Sequence, residues 1–198
     1  MELVSVGLAR CLWFVRTSDM NPRGLNLIST LYPALIEKYK FAIYPSLKEF
    51  LSTDKERPSE FAGGQFTNSK GDVVNIKIVD YEQAIVVDTA SSTRDSEAFL
   101  RELLEWMTGY GLVFRQDMVR SKGYLSELTV RCELGATGAI RPELRVLAKK
   151  LSSLVSVDDR PISYGPSGIS IAPDTTESNK PAAFIFERSA DALFKENR

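Results

Sequence analysis

Apolar and polar residues alternate along several stretches of the chain, and this period of two predicts β-strands. The clearest group should form an antiparallel meander whose strands cover Phe61–Thr67, Val73–Asp80 and Ala84–Thr89. Turn residues at Asn68–Gly71 and Asp80–Gln83 separate these strands. Val74, Ile76 and Ile78 share one face of the middle strand, so we expect them to be its buried side.

The chain before the meander combines a strand with helices. Leu3–Val15 carries apolar residues on both faces, which is typical of a strand that is covered on both sides. Leu25–Lys40 has helical composition, and a short helix at Ser46–Leu51 follows Pro45.

A further helix is predicted directly after the meander. Ser92 supplies a capping side chain for its start, and Gly109 is placed to end it. Phe99, Leu103 and Trp106 fall on one stripe of this helix. We expect all three side chains to pack against the sheet.

The second half of the chain shows the same kinds of signal more weakly. A second hairpin is expected from strands at Leu112–Val119 and Tyr124–Leu134 around a Ser-Lys-Gly turn. The later elements are a helix at Pro142–Leu154 and strands at Ile162–Ala172 and Ala182–Glu187. Hairpins with helices between them predict an α+β fold, with a mainly antiparallel sheet and three or four helices packed on it. We expect one globular domain over residues 1–198, with a weak boundary at 52–60 and a polar tail at 189–198.

Composition and charge narrow the possible functions. The chain has no histidine and two cysteines, which excludes catalytic triads and zinc sites that need histidine. Its net charge of −1 lacks the basic excess of most nucleic-acid-binding proteins, so nucleic acid is an unlikely partner. The charge is unevenly distributed, because residues 72–105 are net acidic and residues 115–150 are net basic. This dipolar pattern favours self-association or a charged partner, although two ordinary solvated surfaces would give it as well.

The sequence also bears on the cellular compartment of the protein. The apolar run Leu3–Val15 is too short to span a membrane and contains Arg10. Cys11 and Cys132 both lie in apolar, strand-like segments, where reduced and buried cysteines are expected. We therefore expect a cytoplasmic protein without membrane contact.

Two short motifs suggest catalysis. Asp88-Thr89-Ala90-Ser91 resembles the Asp-Thr-Gly-Ser loop of aspartic proteases, which implies a paired aspartate from a second copy. Ala90 stands at the glycine position, however, and a strand end followed by a helix cap accounts for the same residues. Ser52 and Lys55 match the Ser-x-x-Lys spacing of serine–lysine enzymes but fall in a polar loop. We interpret Asp88 as structural.

A third segment favours anion binding. Gly135–Pro142 joins a predicted strand to a predicted helix, where backbone N–H groups can cradle a phosphate. The candidate anion-binding residues are Gly135, Thr137, Gly138, Arg141 and Arg145. The glycines would equally serve a tight turn.

The leading hypothesis is a non-enzymatic protein-binding or assembly protein, such as an accessory subunit or a toxin-neutralising factor, without cofactor or metal. The candidate partner-binding residues are apolar and lie near the end of the chain, at Phe184, Phe186, Leu193 and Phe194. The partner would be another protein or a second copy. The alternative is a phosphate- or nucleotide-binding enzyme that combines the Gly135–Arg145 segment with carboxylates of the meander.

Overall fold

The computed structural model describes residues 2–46, 58–131, 142–154, 156–157, 160–161, 168–171 and 184–187. Its contacts divide the chain into two compact units. One unit is Val6–Leu128, and the other combines Met1–Ser5 with Thr129–Arg198. The first unit contains most of a five-stranded antiparallel sheet and the helices that cover one face of that sheet.

The strands that the structure describes are, in chain order, β1 (Glu2–Phe14), β2 (Ser59–Thr67), β3 (Val73–Tyr81), β4 (Ala84–Thr89), β5 (Ser121–Arg131), β6 (Ser156–Val157), β7 (Arg160–Pro161), β8 (Gly168–Ile171) and β9 (Phe184–Glu187). The α-helices are α1 (Thr17–Met20), α2 (Leu27–Tyr39), α3 (Thr93–Thr108) and α4 (Pro142–Leu154), and a 3-10 turn covers Gln116–Met118.

The main sheet has the strand order β2-β3-β4-β1-β5. The meander β2–β4 is antiparallel throughout, and the N-terminal strand β1 pairs antiparallel with β4 through Cys11 opposite Val87. The predicted meander is therefore confirmed, with its turns in the expected places. Val74, Ile76 and Ile78 are buried, as their spacing predicted.

One face of the main sheet forms the hydrophobic core together with α2 and α3. Ala9, Cys11 and Trp13 of β1 point to this face and are almost fully buried, as is Val15 directly after the strand. Helix α3 begins at the cap Ser92, whose side chain accepts a hydrogen bond from the Asp95 N–H. Phe99 and Leu103 on this helix are buried, as expected.

Trp106 differs from the prediction because it lies at the rim of the core. Its side chain is only partly buried, and its ring lies 6.0 Å from the Tyr39 ring and 4.7 Å from the Tyr110 ring, between centroids. Lys38 stacks over it, with Nζ 5.3 Å from the ring centroid. A heptad stripe predicts which side of a helix faces the sheet, but not how far the sheet extends beneath the helix.

The second predicted hairpin is wrong. Residues 112–115 form no strand, and Val113 donates its N–H to the Met20 carbonyl oxygen. The Ser-Lys-Gly residues expected to turn lie inside β5, which is next to β1 in the sheet. Gly123 sits against Leu12, at a separation where an added Cβ would make an ordinary contact. Pairing with a distant strand has overridden the local turn signal.

Several other predictions have definite outcomes. The prediction that β1 is covered on both sides is wrong: one face is deeply buried only from Ala9 to Trp13, the other face is partly covered, and Glu2–Ser5 and Phe14 are exposed. The short helix α1 follows β1 and was not predicted. Helix α4 has the predicted bounds, and β8 pairs antiparallel with β9 within the last two predicted strands. The predicted helix after Ser46, the boundary region 52–57 and the tail 189–198 lie outside the described residues. The α+β class is confirmed.

Candidate protein-binding edge

β5 is the edge strand of the main sheet opposite β2. Within the described part of the chain, its only hydrogen-bonded neighbour is β1. The strand has 11 residues, and nine of them are exposed. Three exposed residues are large and apolar, namely Tyr124 at 49%, Leu125 at 39% and Leu128 at 56%. A long strand with apolar side chains and free backbone groups on its outer side is a template for another strand.

The opposite edge strand, β2, is protected in three ways against pairing with another strand. A bulge interrupts its pairing with β3 between Phe61 and Gly64. Ile43 pairs with Ala62 on the outer side, through hydrogen bonds in both directions. The Phe41 ring packs so closely on Gly64 that any Cβ there would overlap it. The two edge strands of the sheet thus differ, because β2 is covered on its outer side and β5 is mostly exposed.

A cluster of side chains holds β5 in place on the helix side of the sheet. Lys122 Nζ lies 2.8 Å from Glu97 Oε1 of helix α3 and 4.2 Å from the centroid of the buried Trp13 ring. Tyr124 also donates a hydrogen bond to Glu97. Arg101, one turn along α3, lies 3.5 Å from the same carboxylate. These contacts anchor the strand from the helix side of the sheet.

The phenol of Tyr124 and the thiol of the neighbouring Cys11 are not activated by this cluster. Burial raises the pKa of the Cys11 thiol to about 12, so it stays protonated at neutral pH. Burial and the hydrogen bond to Glu97 raise the pKa of Tyr124 to about 12. The Lys122 ammonium holds the pKa of Glu97 below its ordinary value, which keeps the carboxylate charged as an anchor. The arrangement suits a structural clamp better than a nucleophile.

The charged residues of β5 do little to prevent another strand from pairing with its outer edge. Exposed lysines often guard a sheet edge, yet Lys122 lies over Trp13 and pairs with Glu97. Arg131 at the end of the strand pairs with Glu2 at 3.4 Å. Glu127 is the one charged residue in the middle of the strand, and the strand contains no proline. The central part of β5 is therefore well suited to strand pairing.

The acidic residues proposed for catalysis are separated by the sheet. Asp88 forms a two-point ion pair with Arg10 on the face away from α2 and α3. Asp80 lies on the helix side, where it accepts a hydrogen bond of 2.9 Å from the Thr17 hydroxyl. Asp72 remains in the turn, hydrogen-bonded to Asn68. Among the described residues, no group of three or more acidic or cysteine side chains could hold a metal ion.

The structure places the other predicted site residues as follows. Gly135, Thr137, Gly138 and Arg141 of the anion loop, and Leu193 and Phe194 of the tail, lie outside the described residues. Arg145 belongs to helix α4. Phe184 and Phe186 belong to β9, opposite Ile171 and Ile169 of β8. Neither site is assembled by the described residues, so anion binding and tail docking stay predictions.

Sequence reasoning missed β5 as a candidate site because it assigned part of this segment to a hairpin turn. One signal was present, namely the basic and apolar composition of the stretch from Arg115 onward. The pairing partner of β5 is β1, more than a hundred residues earlier, and no local pattern identifies such a neighbour.

Comparison with models of known families, with curated proteins and with solved structures finds no match to this chain. No described helix has the length and apolar character needed to cross a membrane.

Proposed function

We propose that this protein is a non-enzymatic protein-binding or assembly protein, and that it binds an extended segment of its partner at the outer edge of β5. The observation that carries this proposal is the contrast between the covered edge β2 and the exposed edge β5, whose only strand neighbour among the described residues is β1. In strand addition, main-chain hydrogen bonds supply affinity and alternate side chains supply specificity. Tyr124 and Leu128 on one face, with Leu125 on the other, would contact alternate side chains of the partner.

Exposed apolar side chains on a second element agree with this class of function. Helix α4 carries Val146, Leu147 and Leu151, with exposures of 53%, 52% and 39%. Such residues are typical of surfaces that meet other proteins. The alternative, a phosphate enzyme, would need carboxylates of the meander to converge on one site. Asp80 and Asp88 do not converge, because they lie on opposite faces of the sheet.

Peptide selection followed by hydrogen exchange tests the proposal. Short random linear peptides are selected on the immobilised full chain, and the tightest binder is added during amide exchange. We expect new protection in Ser121–Arg131 and none in β2. Protection confined to another segment would contradict strand addition at β5.

The backbone of the selected peptide gives a sharper test. Two versions are made, with N-methyl groups on the odd or on the even residues. An added strand directs only alternate N–H groups toward its neighbour. One version should therefore lose binding while the other retains it. Equal binding of both versions, or equal loss, would show that main-chain pairing does not hold the peptide.

A further inference from the structure

We propose that β5 pairs antiparallel with β5 of a second copy of this chain, about a two-fold axis at Ser126, so that two five-stranded sheets join into one. This inference rests on the proposed function and names its partner. A two-fold interface uses the same surface on both copies, which a single open edge strand provides.

The faces of β5 restrict the possible registers. Lys122 and Tyr124 point to the helix side, where they meet Glu97, and Gly123 points to the other face, against Leu12. Directly opposite residues of an antiparallel pair share a face. The two-fold axis must therefore pass through a residue and not between two residues.

Ser126 is the residue at which this pairing is most complete. It is the midpoint of Ser121–Arg131, so an axis there pairs the whole strand with its copy. Tyr124 then lies opposite Leu128, and by symmetry this contact occurs twice. Both side chains are about half exposed in the single chain, at 49% and 56%, and each would cover the other.

The neighbouring registers are less favourable. An axis at Glu127 places two glutamates directly opposite each other, which is repulsive. An axis at Leu125 places Tyr124 opposite Ser126 and Leu128 opposite Lys122, so the apolar contact is lost.

The charges of β5 are compatible with the axis at Ser126. No two charged residues are directly opposite, because Lys122 meets Val130, Glu127 meets Leu125 and Arg131 meets Ser121. The two Glu127 side chains are diagonal neighbours on the face away from the helices. On that face each is near the positive charge of Arg10 in its own copy.

The test uses substitutions at the axis. In Ser126→Lys, two ammonium groups would face each other across the axis, whereas Thr129→Lys places a lysine opposite Gly123. Sedimentation equilibrium of the full chain should show wild type approaching twice the 22.1 kDa of one chain as concentration rises. We expect Ser126→Lys to weaken this association at least about tenfold, the effect of about 1.4 kcal/mol. Thr129→Lys should leave it nearly unchanged.

A charge-swap mixture checks that any weakening comes from the axis and not from damage to the fold. Ser126→Asp alone should weaken the association in the same way, but an equimolar mixture with Ser126→Lys should recover the dimer. A Ser126→Cys variant should form a disulfide-linked dimer under mild oxidation, in excess of wild type and of Thr129→Cys. Thermal melts of each variant confirm that the chain is folded.

Three results would overturn self-pairing. They are a wild-type chain that stays monomeric at all concentrations, equal weakening by Ser126→Lys and Thr129→Lys, and a charge-swap mixture that does not recover the dimer. A monomeric chain that still binds the selected peptide along Ser121–Arg131 refutes the second copy as partner while leaving strand addition in place. A dimer unaffected by Ser126→Lys, combined with peptide protection elsewhere, refutes both proposals.

Discussion

Arg10 and Asp88 lie opposite each other on β1 and β4, and the arginine Nε and Nη2 atoms are 2.7 and 2.8 Å from the two carboxylate oxygens. The planar guanidinium donates two parallel hydrogen bonds to the carboxylate, and this two-point contact fixes the orientation of the pair. The Asp88 side chain is only 11% exposed, whereas Arg10 is 40% exposed. A carboxylate held in this way joins two strands, which agrees with the structural interpretation of Asp88.

Asp88→Asn should lower the free energy of unfolding by about 1–2 kcal/mol, because one charged partner of a partly buried pair is lost. Binding of the selected peptide should change less than a few-fold. Urea unfolding of Asp88→Asn, Arg10→Met and the double variant measures the coupling between the two side chains. Complete loss of binding in a stably folded Asp88→Asn chain would revive a chemical role for this residue.

Asp80 should make the folded chain less stable as pH rises, which is the opposite of the effect of a carboxylate held in an ion pair. Desolvation raises its pKa to about 6 from an ordinary 3.8, although the Thr17 hydroxyl partly offsets this effect. Between these two values the folded chain binds more protons than the unfolded chain. The contribution of Asp80 to stability therefore improves as pH falls from 7.5 to 4.5.

Asp80→Asn removes this dependence. The variant should be more stable than wild type at pH 7.5, by at most about 3 kcal/mol; the gain should fall to about 1 kcal/mol near pH 4.5 and vanish below the ordinary pKa of 3.8. Urea unfolding at a series of pH values measures the difference. Thr17→Val should move the transition to higher pH, because it removes the hydrogen bond that favours the carboxylate. Parallel stability curves for wild type and Asp80→Asn would contradict the prediction.

Replacing Phe99 or Trp106 by alanine should lower the free energy of unfolding by different amounts, although both residues lie on one stripe of α3. Phe99 is fully buried, so Phe99→Ala should lower the free energy of unfolding by about 3–5 kcal/mol. Trp106→Ala should cost roughly half as much, because its ring is partly exposed at the rim. Chemical denaturation of the two variants under the same conditions tests the comparison. Equal costs would mean that Trp106 is as enclosed as Phe99.

The protection of the β2 edge can be tested at Gly64. An added Cβ would overlap the Phe41 ring, so Gly64→Ala should be strongly destabilising, by about 1–3 kcal/mol. Gly123→Ala in β5 is the matched control, since its Cβ would lie 3.6 Å from Leu12 and meet only ordinary contacts. In a Phe41→Ala background, where the ring is absent, Gly64→Ala should cost clearly less than it costs in wild type. Thermal melts of the two glycine variants, of Phe41→Ala and of the Phe41→Ala/Gly64→Ala double variant provide the measurement, and a harmless Gly64→Ala would refute the overlap.

The parts of the fold that could be predicted from the sequence are those set by local patterns. The strict alternation of Val73–Asp80 and the cap at Ser92 each determine a nearby element. The prediction failed at β5, where Gly123 suggested a turn but lies within the strand opposite distant residues. An open edge is a property of sheet order, and sheet order depends on pairings that no short segment encodes. The candidate site was therefore not predictable, although the protein-binding class was proposed from composition.

The position of β1 has a consequence for how the chain folds during synthesis. β1 precedes the other described strands in the chain, yet it is an inner strand of the sheet, and its ion pair with β4 joins residues 78 positions apart. β2–β4 can close as local hairpins, but β1 must wait for β4 and then for β5. Such non-local pairing slows folding, because the loop between the strands has to close first. A nascent chain that ends before β5 would expose a second, inner edge at β1, so folding and association would compete for the same strand until translation has passed Arg131.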